Sequence, residues 1–288
     1  ELVKDDFAVE CSRINPREGY YIPHFPVFKP GSATTPIRPV FNASSKRKGG
    51  HSLNEVIFKG VWTQTSLLGV LIAWRLHPVV VLADLKKAFL QVQVANDDRK
   101  YLRFLWKSND RLRAFEMKRL LFGASASPFL LYVALKYVLK HFDASLLPLL
   151  DYLYMDDLLL VANTEEELQS LLARVTRVMQ QASFTLHKWV TIPNIAASLQ
   201  VEAPVSRSAC LGQQWDLKED NIVFPVPNIQ LEGLTRRKLA SVFARIFDPL
   251  GLLGPNQTRI KHFLRRVIQA NAEWDCPIET HFQDEART

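Results

Sequence analysis

Two adjacent carboxylates, Asp156 and Asp157, interrupt an apolar stretch that runs from Leu153 to Val161. Packing does not account for this pair, because neighbouring Asp side chains at a hairpin tip repel each other and lose hydration. A bound cation would offset that cost, and oxygen ligands of this kind suit Mg²⁺. The alternative interpretation is a polar β-turn, in which Asp is common.

A third carboxylate, Asp84, ends the β-branched apolar run over 79–83 and precedes Asp156 by 72 residues. Alone, it could be the N-cap of a helix over 85–89. Taken with Asp156 and Asp157, it predicts a two-metal site for phosphoryl transfer, because such a site needs carboxylates on adjacent strands of one rigid sheet.

The elements that must position these residues alternate between strand and helix around an antiparallel hairpin, which predicts an α+β fold. Strands are predicted at 37–41, 79–84, 90–94, 101–106, 114–117, 184–188, 211–215 and 222–226, besides the hairpin at 156–157. Helices are predicted at 56–74, with Leu67, Leu68, Leu71 and Ile72 towards the core, and at 125–141, 165–179, 235–247 and 257–270.

The composition of the 288 residues, 48% hydrophobic and 23% charged, is globular and sufficient for roughly two domains. The longest run without charge, 120–135, is too short to span a bilayer, so we expect no membrane partner. Three widely spaced cysteines exclude a disulfide framework and a zinc site, and favour an intracellular setting. The chain lacks an initiator Met, so we expect it to be part of a longer polypeptide.

The net charge of +7 predicts an anionic partner. Segment 231–270 carries eight basic residues against two acidic ones, and segment 29–54 carries five basic residues and no acidic one. Each segment fits contact with a phosphate backbone or a triphosphate, and each also fits an ordinary solvated surface.

Six motifs in order, spread between about Tyr20 and Trp274, make the chain resemble the reverse transcriptase of a Bel/Pao-type LTR retrotransposon. They are the tetrapeptide at 154–157, the strand at 81–89, the segment at 122–128, the segment at 184–189, the segment at 211–215 and Phe247-Asp248-Pro249-Leu250-Gly251-Leu252-Leu253-Gly254-Pro255.

This resemblance implies a right-hand polymerase of α+β class, with an antiparallel palm sheet, β-rich fingers and a helical thumb. The implied boundaries are fingers over 1–77, a palm with primer grip over 78–229 that includes a returning fingers segment at about 90–120, and a thumb over 230–288 with the start of the following segment.

The resemblance also implies RNA-directed DNA synthesis. Asp84, Asp156 and Asp157 would hold two Mg²⁺, with Mn²⁺ as an alternative ion, and Lys188 would be the general acid for pyrophosphate. Residues implied to bind the nucleotide are Lys29, Arg38, Phe89, Phe122 and Gly123, with Phe89 excluding a 2′-hydroxyl. Residues implied to bind primer or template are Tyr154, Met155, Ser127, Pro128, Leu211, Gly212, Gln213, Arg236, Arg237 and Lys238.

The partners implied are an RNA or DNA template with annealed primer, deoxynucleoside triphosphates and the rest of a retroelement polyprotein, in the cytoplasm or within retrotransposon particles, with a product bound for the nucleus. Two positions depart from related patterns: Asn42 stands where Asp is frequent, and Phe122 stands where retroviral enzymes have Gln.

A domesticated copy that binds nucleic acid or protein without catalysis is the alternative function.

Overall fold

The computed structural model describes residues 2–15, 17–28, 37–46, 48–61, 65–204, 206–225, 233–270 and 273–286. The strands are β1 (Ala8–Glu10), β2 (His24–Phe28), β3 (Ile37–Phe41), β4 (Val79–Leu85), β5 (Arg103–Ser108), β6 (Arg111–Met117), β7 (Leu153–Tyr154), β8 (Asp157–Ala162), β9 (Leu186–Val190), β10 (Arg207–Cys210), β11 (Gln213–Asp216) and β12 (Asn221–Val223). The helices are α1 (Leu53–Val56), α2 (Leu67–Leu76), α3 (Ala88–Gln91), α4 (Ser127–Phe142), α5 (Glu165–Gln181), α6 (Pro193–Leu199), α7 (Arg236–Phe243), α8 (Gly254–Ala270) and α9 (Thr280–Glu285), with 3₁₀ segments at Asn96–Tyr101 and Ala144–Tyr152.

The described strands form four sheets. The largest has the order β7-β8-β4-β9, and the others are β1-β6-β5, β10-β11-β12 and the hairpin β2-β3. The pairs β1 with β6, β5 with β6, β7 with β8, β10 with β11, β11 with β12 and β2 with β3 are antiparallel. This mixture of helices and antiparallel sheets confirms the predicted α+β class.

Strand β4 lies between two neighbours in its sheet, and its sequence explains that position. Its β-branched and aliphatic residues, Val79 to Ala83, are buried, and Asp84 is only partly exposed. A strand that is apolar on both faces is stable where both faces are covered. Packing alone does not explain a single charged residue near the end of such a strand.

The chain divides into two compact units, each made of discontinuous segments. The first comprises 1–65, 83–160 and 169–187, and the second comprises 66–82, 161–168 and 188–288. A buried cluster of the first unit includes Phe41, Phe104, Phe115 and Met117. A buried cluster of the second unit is Leu234, Leu239, Val267, Ile278 and Phe282.

Several predicted elements were wrong. The helix predicted at 56–74 begins only at Leu67, after the N-cap Ser66, and Gly60 precedes it at a φ of +84°. Its buried residues are Val70, Leu71 and Trp74, whereas Leu68 and Ile72 are exposed. The strand predicted at 90–94 is replaced by α3 and the isolated bridge Gln93 to Arg119.

Candidate active site

The segment of Asp84 lies directly against the tip of the β7–β8 hairpin. The amide of Leu85 donates a hydrogen bond of 2.8 Å to the carbonyl oxygen of Asp156. In the hairpin, Tyr154 pairs with Asp157 and Met155 turns the chain at a φ of +57°. Neighbouring strand ends thus bring together the backbones of both predicted acidic segments, and Asp84 lies in the strand and is not a helix cap.

His187 contacts the first of these carboxylates and was missed from sequence. Its Nε2 lies 3.4 Å from Asp84 Oδ2, and both side chains are about three-quarters buried. The amide of Lys86 also donates to the carbonyl oxygen of Thr185 at 2.8 Å. The segment that contains Thr185 and His187 therefore lies beside the end of the strand that carries Asp84. In the sequence, the only indication of a site role for His187 is its position directly before Lys188. The seven histidines are scattered along the chain, so their spacing does not single out His187.

The three carboxylates suit a divalent cation by chemistry, since Mg²⁺ prefers oxygen ligands. Their segments are also adjacent, through the bond from Leu85 to Asp156. Within the described ranges, however, no group of three or more His, Cys, Asp or Glu side chains is gathered closely enough to hold a metal ion. The backbone arrangement and the donor set fit a metal centre, while the side-chain conformations do not assemble one.

Phe89 and Phe122 form an aromatic pair. Their ring centroids are 4.8 Å apart and their planes are nearly perpendicular, at 80°. Phe89 is 8% exposed, whereas Phe122 is 44% exposed. Two predicted nucleotide-binding residues that are far apart in sequence therefore contact each other, and the more exposed ring is that of Phe122.

The turn after Phe122 depends on glycine and on Asn54, a residue that sequence reasoning missed. Gly123 has a φ of +104°, and a Cβ there would lie 2.3 Å from the carbonyl oxygen of Phe41. Asn54 donates to the Gly123 carbonyl at 2.9 Å and accepts from the Ser125 amide at 2.8 Å. These bonds fix the loop that leads into α4.

The start of α4 is equally constrained. Ser127 is 2% exposed, and its hydroxyl donates to the carbonyl oxygen of Leu121 at 2.7 Å. Pro128 occupies the first turn, where a proline costs no helical hydrogen bond. Ser127 thus acts within the fold of this loop, and its predicted contact with template or nucleotide stays a prediction.

Three predicted residues allow less description. Lys29 lies outside the described residues, and Arg38 belongs to β3 but its side chain is also outside them. Lys188 is exposed in β9 and has a φ of +53°.

The predicted primer grip forms the turn between β10 and β11. Leu211 and Gly212 both have positive φ, at +49° and +87°, as two-residue hairpins with a type I′ turn require. Gln213 is 2% exposed, and its Nε2 donates to the carbonyl oxygen of Phe247 at 3.0 Å. The Gln213 side chain is therefore internal.

The predicted basic contacts at the start of α7 are engaged within the protein. Arg236 is 6% exposed, and its guanidinium lies 4.8 Å from the ring centroid of Trp274. Arg237 binds Asp275 through two hydrogen bonds of 2.7 and 3.1 Å, which lower the pKa of that carboxyl below its usual value. Lys238 donates to the carbonyl oxygen of Gly233 at 3.0 Å.

Helix α8 presents a second set of basic side chains. Its exposed basic residues include Arg259, Lys261, Arg265 and Arg266, and Arg266 pairs with Glu285. The exposed cationic surface of this region is therefore more extensive along α8 than at the start of α7.

No described helix combines the length and apolar character needed to cross a membrane.

Comparison with known proteins gives no match among curated proteins. Residues 56–189 match the family model described as reverse transcriptase (RNA-dependent DNA polymerase). A solved structure of a foamy viral protease-reverse transcriptase in complex with double-stranded DNA is similar over 99% of this chain, with 17% sequence identity and a TM-score of 0.59. The alignment covers 45% of the foamy viral chain, so our chain spans less than half of its length. This similarity shows that the fold is that of an α+β polymerase.

A second family model, described as a Pao retrotransposon-like RNaseH-like domain, matches residues 235–288. The sequence predicts a thumb there, and the described residues of this segment contain α7, α8, α9 and the isolated bridge Thr235 to Pro277, without a strand. The two family matches, one to a reverse transcriptase domain and one to a Pao retrotransposon-like domain, together support a reverse transcriptase of a Bel/Pao-type retrotransposon.

Proposed function

We propose that the chain is an RNA-directed DNA polymerase that adds deoxynucleotides to a primer annealed to an RNA or DNA template. The observation that carries this proposal is the hydrogen bond of 2.8 Å from the Leu85 amide to the Asp156 carbonyl. It joins the backbone segments that carry all three predicted catalytic carboxylates at the end of one sheet.

Asp84, Asp156 and Asp157 would hold two Mg²⁺ in this proposal, with Mn²⁺ as a substitute. When bound, two such ions activate the primer 3′-hydroxyl and offset charge on the triphosphate and the leaving pyrophosphate. The contribution of the chain is to hold its carboxylates on a rigid sheet, so that little reorganisation is needed during reaction.

The nucleotide would lie against the aromatic pair Phe89 and Phe122 and the turn at Gly123. A mostly buried Phe89 ring cannot move aside easily, so it would clash with a 2′-hydroxyl and select deoxynucleotides. Lys29 and Arg38 would bind the β- and γ-phosphates, and Lys188 would donate a proton to the departing pyrophosphate.

Template and primer would contact Tyr154 and Met155 at the hairpin, the start of α4, the turn at 211–212 and the exposed basic residues of α8. The rest of a retroelement polyprotein would be a further partner. We place the reaction in the cytoplasm or within retrotransposon particles, on the resemblance alone.

A second function, nucleic-acid binding without synthesis, has one observation in its favour. In the described part of the chain no group of three or more His, Cys, Asp or Glu side chains is close enough to hold a metal ion, and Asp84 contacts His187. A domesticated, catalytically idle copy would tolerate that arrangement.

Primer extension on an RNA template distinguishes these functions. We compare the unchanged protein with Asp156→Asn and with Asp151→Asn, a matched control at an exposed position five residues earlier. Synthesis by the unchanged protein and by the control, with a loss on the order of a thousandfold in Asp156→Asn, is expected for two-metal catalysis. Duplex binding without synthesis by the unchanged protein would support the idle copy.

A further inference from the structure

The turn at Leu211 and Gly212 lies in close contact with Phe247. A Cβ at Gly212 would be 2.8 Å from Cε1 of the Phe247 ring, and the φ of +87° is one that other residues rarely adopt. The turn thus needs glycine for its own conformation and also for the approach of the ring.

The next residue binds the backbone of the same phenylalanine. Gln213 is 2% exposed, and its Nε2 donates to the Phe247 carbonyl at 3.0 Å. A buried side chain that bonds a backbone carbonyl is held in one conformation, because losing the partner would leave a polar group unsatisfied. Phe247 therefore contacts two consecutive residues of the turn, with its ring and with its carbonyl.

Asp248 ties the same loop to α8. Its carboxylate accepts hydrogen bonds from the amides of Leu252 at 3.0 Å and Leu253 at 2.8 Å, and from Gln257 Nε2 at 3.2 Å. Helix α8 begins at Gly254, and a carboxylate at this end stabilises its unpaired amides and its dipole. The loop over 247–253 is thus bonded to the turn on one side and to α8 on the other.

The β11–β12 hairpin, which follows the turn, is also held by side-chain bonds. Trp215, in β11, is 1% exposed and donates from its indole nitrogen to Asp220 Oδ1 at 2.8 Å. Asp220 in turn binds the guanidinium of Arg75 at 2.8 Å. Because the β11–β12 hairpin is held in place by these bonds, we expect a displacement of the 247–253 loop to change the position of the Leu211–Gly212 turn.

We propose that Phe247 and Asp248 are positioning residues for primer binding: the 247–253 loop fixes the Leu211–Gly212 turn relative to α8, so that turn and helix hold the primer strand as one body. This inference rests on the proposed function and deepens it. The motif over 247–255 resembles a family signature, and the contacts of Phe247 and Asp248 to Gly212, Gln213 and the start of α8 give it a structural role.

The test uses the whole chain and a primer with 2-aminopurine at its 3′-terminal position, annealed to an RNA template. Gln213→Met removes the bond to the Phe247 carbonyl while keeping side-chain length. Gln283→Met is the matched control, because Gln283 Nε2 also donates to a backbone carbonyl, that of Ile278, at 2.8 Å. We measure kcat for the first nucleotide, KM for the nucleotide, duplex Kd and 2-aminopurine fluorescence.

We expect Gln213→Met to lower kcat about tenfold, because a turn that is no longer bonded to Phe247 positions the primer terminus less accurately for reaction. Duplex Kd should stay within about twofold, since phosphate contacts dominate affinity, and the fluorescence should change. Gln283→Met should change none of these quantities. Asp248→Asn should retain more activity than Asp248→Ala, because the amide oxygen can still accept one of the two backbone bonds.

Unchanged kcat and fluorescence in both Gln213→Met and Asp248→Ala would overturn the inference, and so would an equal loss in Gln283→Met. If Asp248→Ala fails to fold, the kcat and fluorescence of Asp248→Asn and Gln213→Met test the inference in its place. Absence of synthesis by the unchanged protein would contradict the proposed function alone, because the fluorescence of the bound primer reports the effect of the loop without turnover.

Discussion

The amide of Leu85 donates to the carbonyl of Asp156 at 2.8 Å, so the residue that follows one predicted catalytic carboxylate is bonded to another. On its other side the same strand end meets the segment of His187, which contacts Asp84 at 3.4 Å. Asp84 is therefore held between two strand ends, near the end of a strand whose other residues are buried.

Replacing Phe89 by Val should relax the selection against ribonucleotides. The ring is 8% exposed and packs on Phe122 at 4.8 Å, so it cannot yield to a 2′-hydroxyl. We expect the ratio of deoxynucleotide to ribonucleotide incorporation to fall by about tenfold or more, since a clash of about 1.4 kcal/mol would be removed. Phe104→Val is the control, as Phe104 is similarly buried in a hydrophobic cluster of the same unit. An equal ratio in all three proteins would exclude a role for Phe89 in sugar selection.

Gly123→Ala should destabilise the protein strongly. A Cβ there would lie 2.3 Å from a backbone oxygen of Phe41, and the φ of +104° is strained for alanine. We expect a loss of about 3 kcal/mol or more, against about 1 kcal/mol for Gly49→Ala, where φ is +76° and no atom lies within 4 Å. Urea midpoints of the two variants measure the difference. Equal midpoints would contradict the close approach of Phe41 to this turn.

The salt dependence of duplex binding should report α8 more than the start of α7. Because Arg236 is buried and Arg237 binds Asp275, we expect little change in slope when these two residues become Gln. Changing Arg259, Lys261 and Arg265 to Gln should lower the slope of log K against log salt by about 0.9 for each lost phosphate contact. A larger change in this slope for the α7 variant than for the α8 variant would support the sequence prediction, which assigns the phosphate contacts to Arg236, Arg237 and Lys238.

Glu55 should contribute to the loss of folding stability as the pH is lowered into the acidic range. Hydrogen bonds from the Lys46 side chain and the Ser52 amide lower the pKa of Glu55 from 4.5 to about 2. A depressed pKa stabilises the folded state above pH 4.5, and that contribution is lost as pH falls from about 4.5 to about 2. Glu55→Gln should therefore flatten the dependence of the urea midpoint on pH within this window. A curve as steep as that of the unchanged protein would mean that Glu55 is not coupled to folding.

Local sequence predicted the central elements of the site but not their contacts. The β-branched run before Asp84 and the apolar flanks of Asp157 have strong strand signals, and both are strands. The helix predicted at 56–74 failed because apolar residues at helical spacing continued through a segment that contains Gly60 at positive φ. Asn54 and His187 could not be selected, because their partners Gly123 and Asp84 are distant in sequence and meet only after folding.

The most direct measurement for the central claim is iron-mediated cleavage of the backbone. Fe²⁺ in place of Mg²⁺, with ascorbate and peroxide, cuts the chain beside the residues that bind it. If the three carboxylates share bound cations, cuts should appear both near Asp84 and near Asp156 and Asp157, should be suppressed by excess Mg²⁺, and should weaken together in Asp156→Asn but not in Asp151→Asn. Cuts at only one of the two segments, or loss at one segment alone in Asp156→Asn, would contradict a shared metal centre.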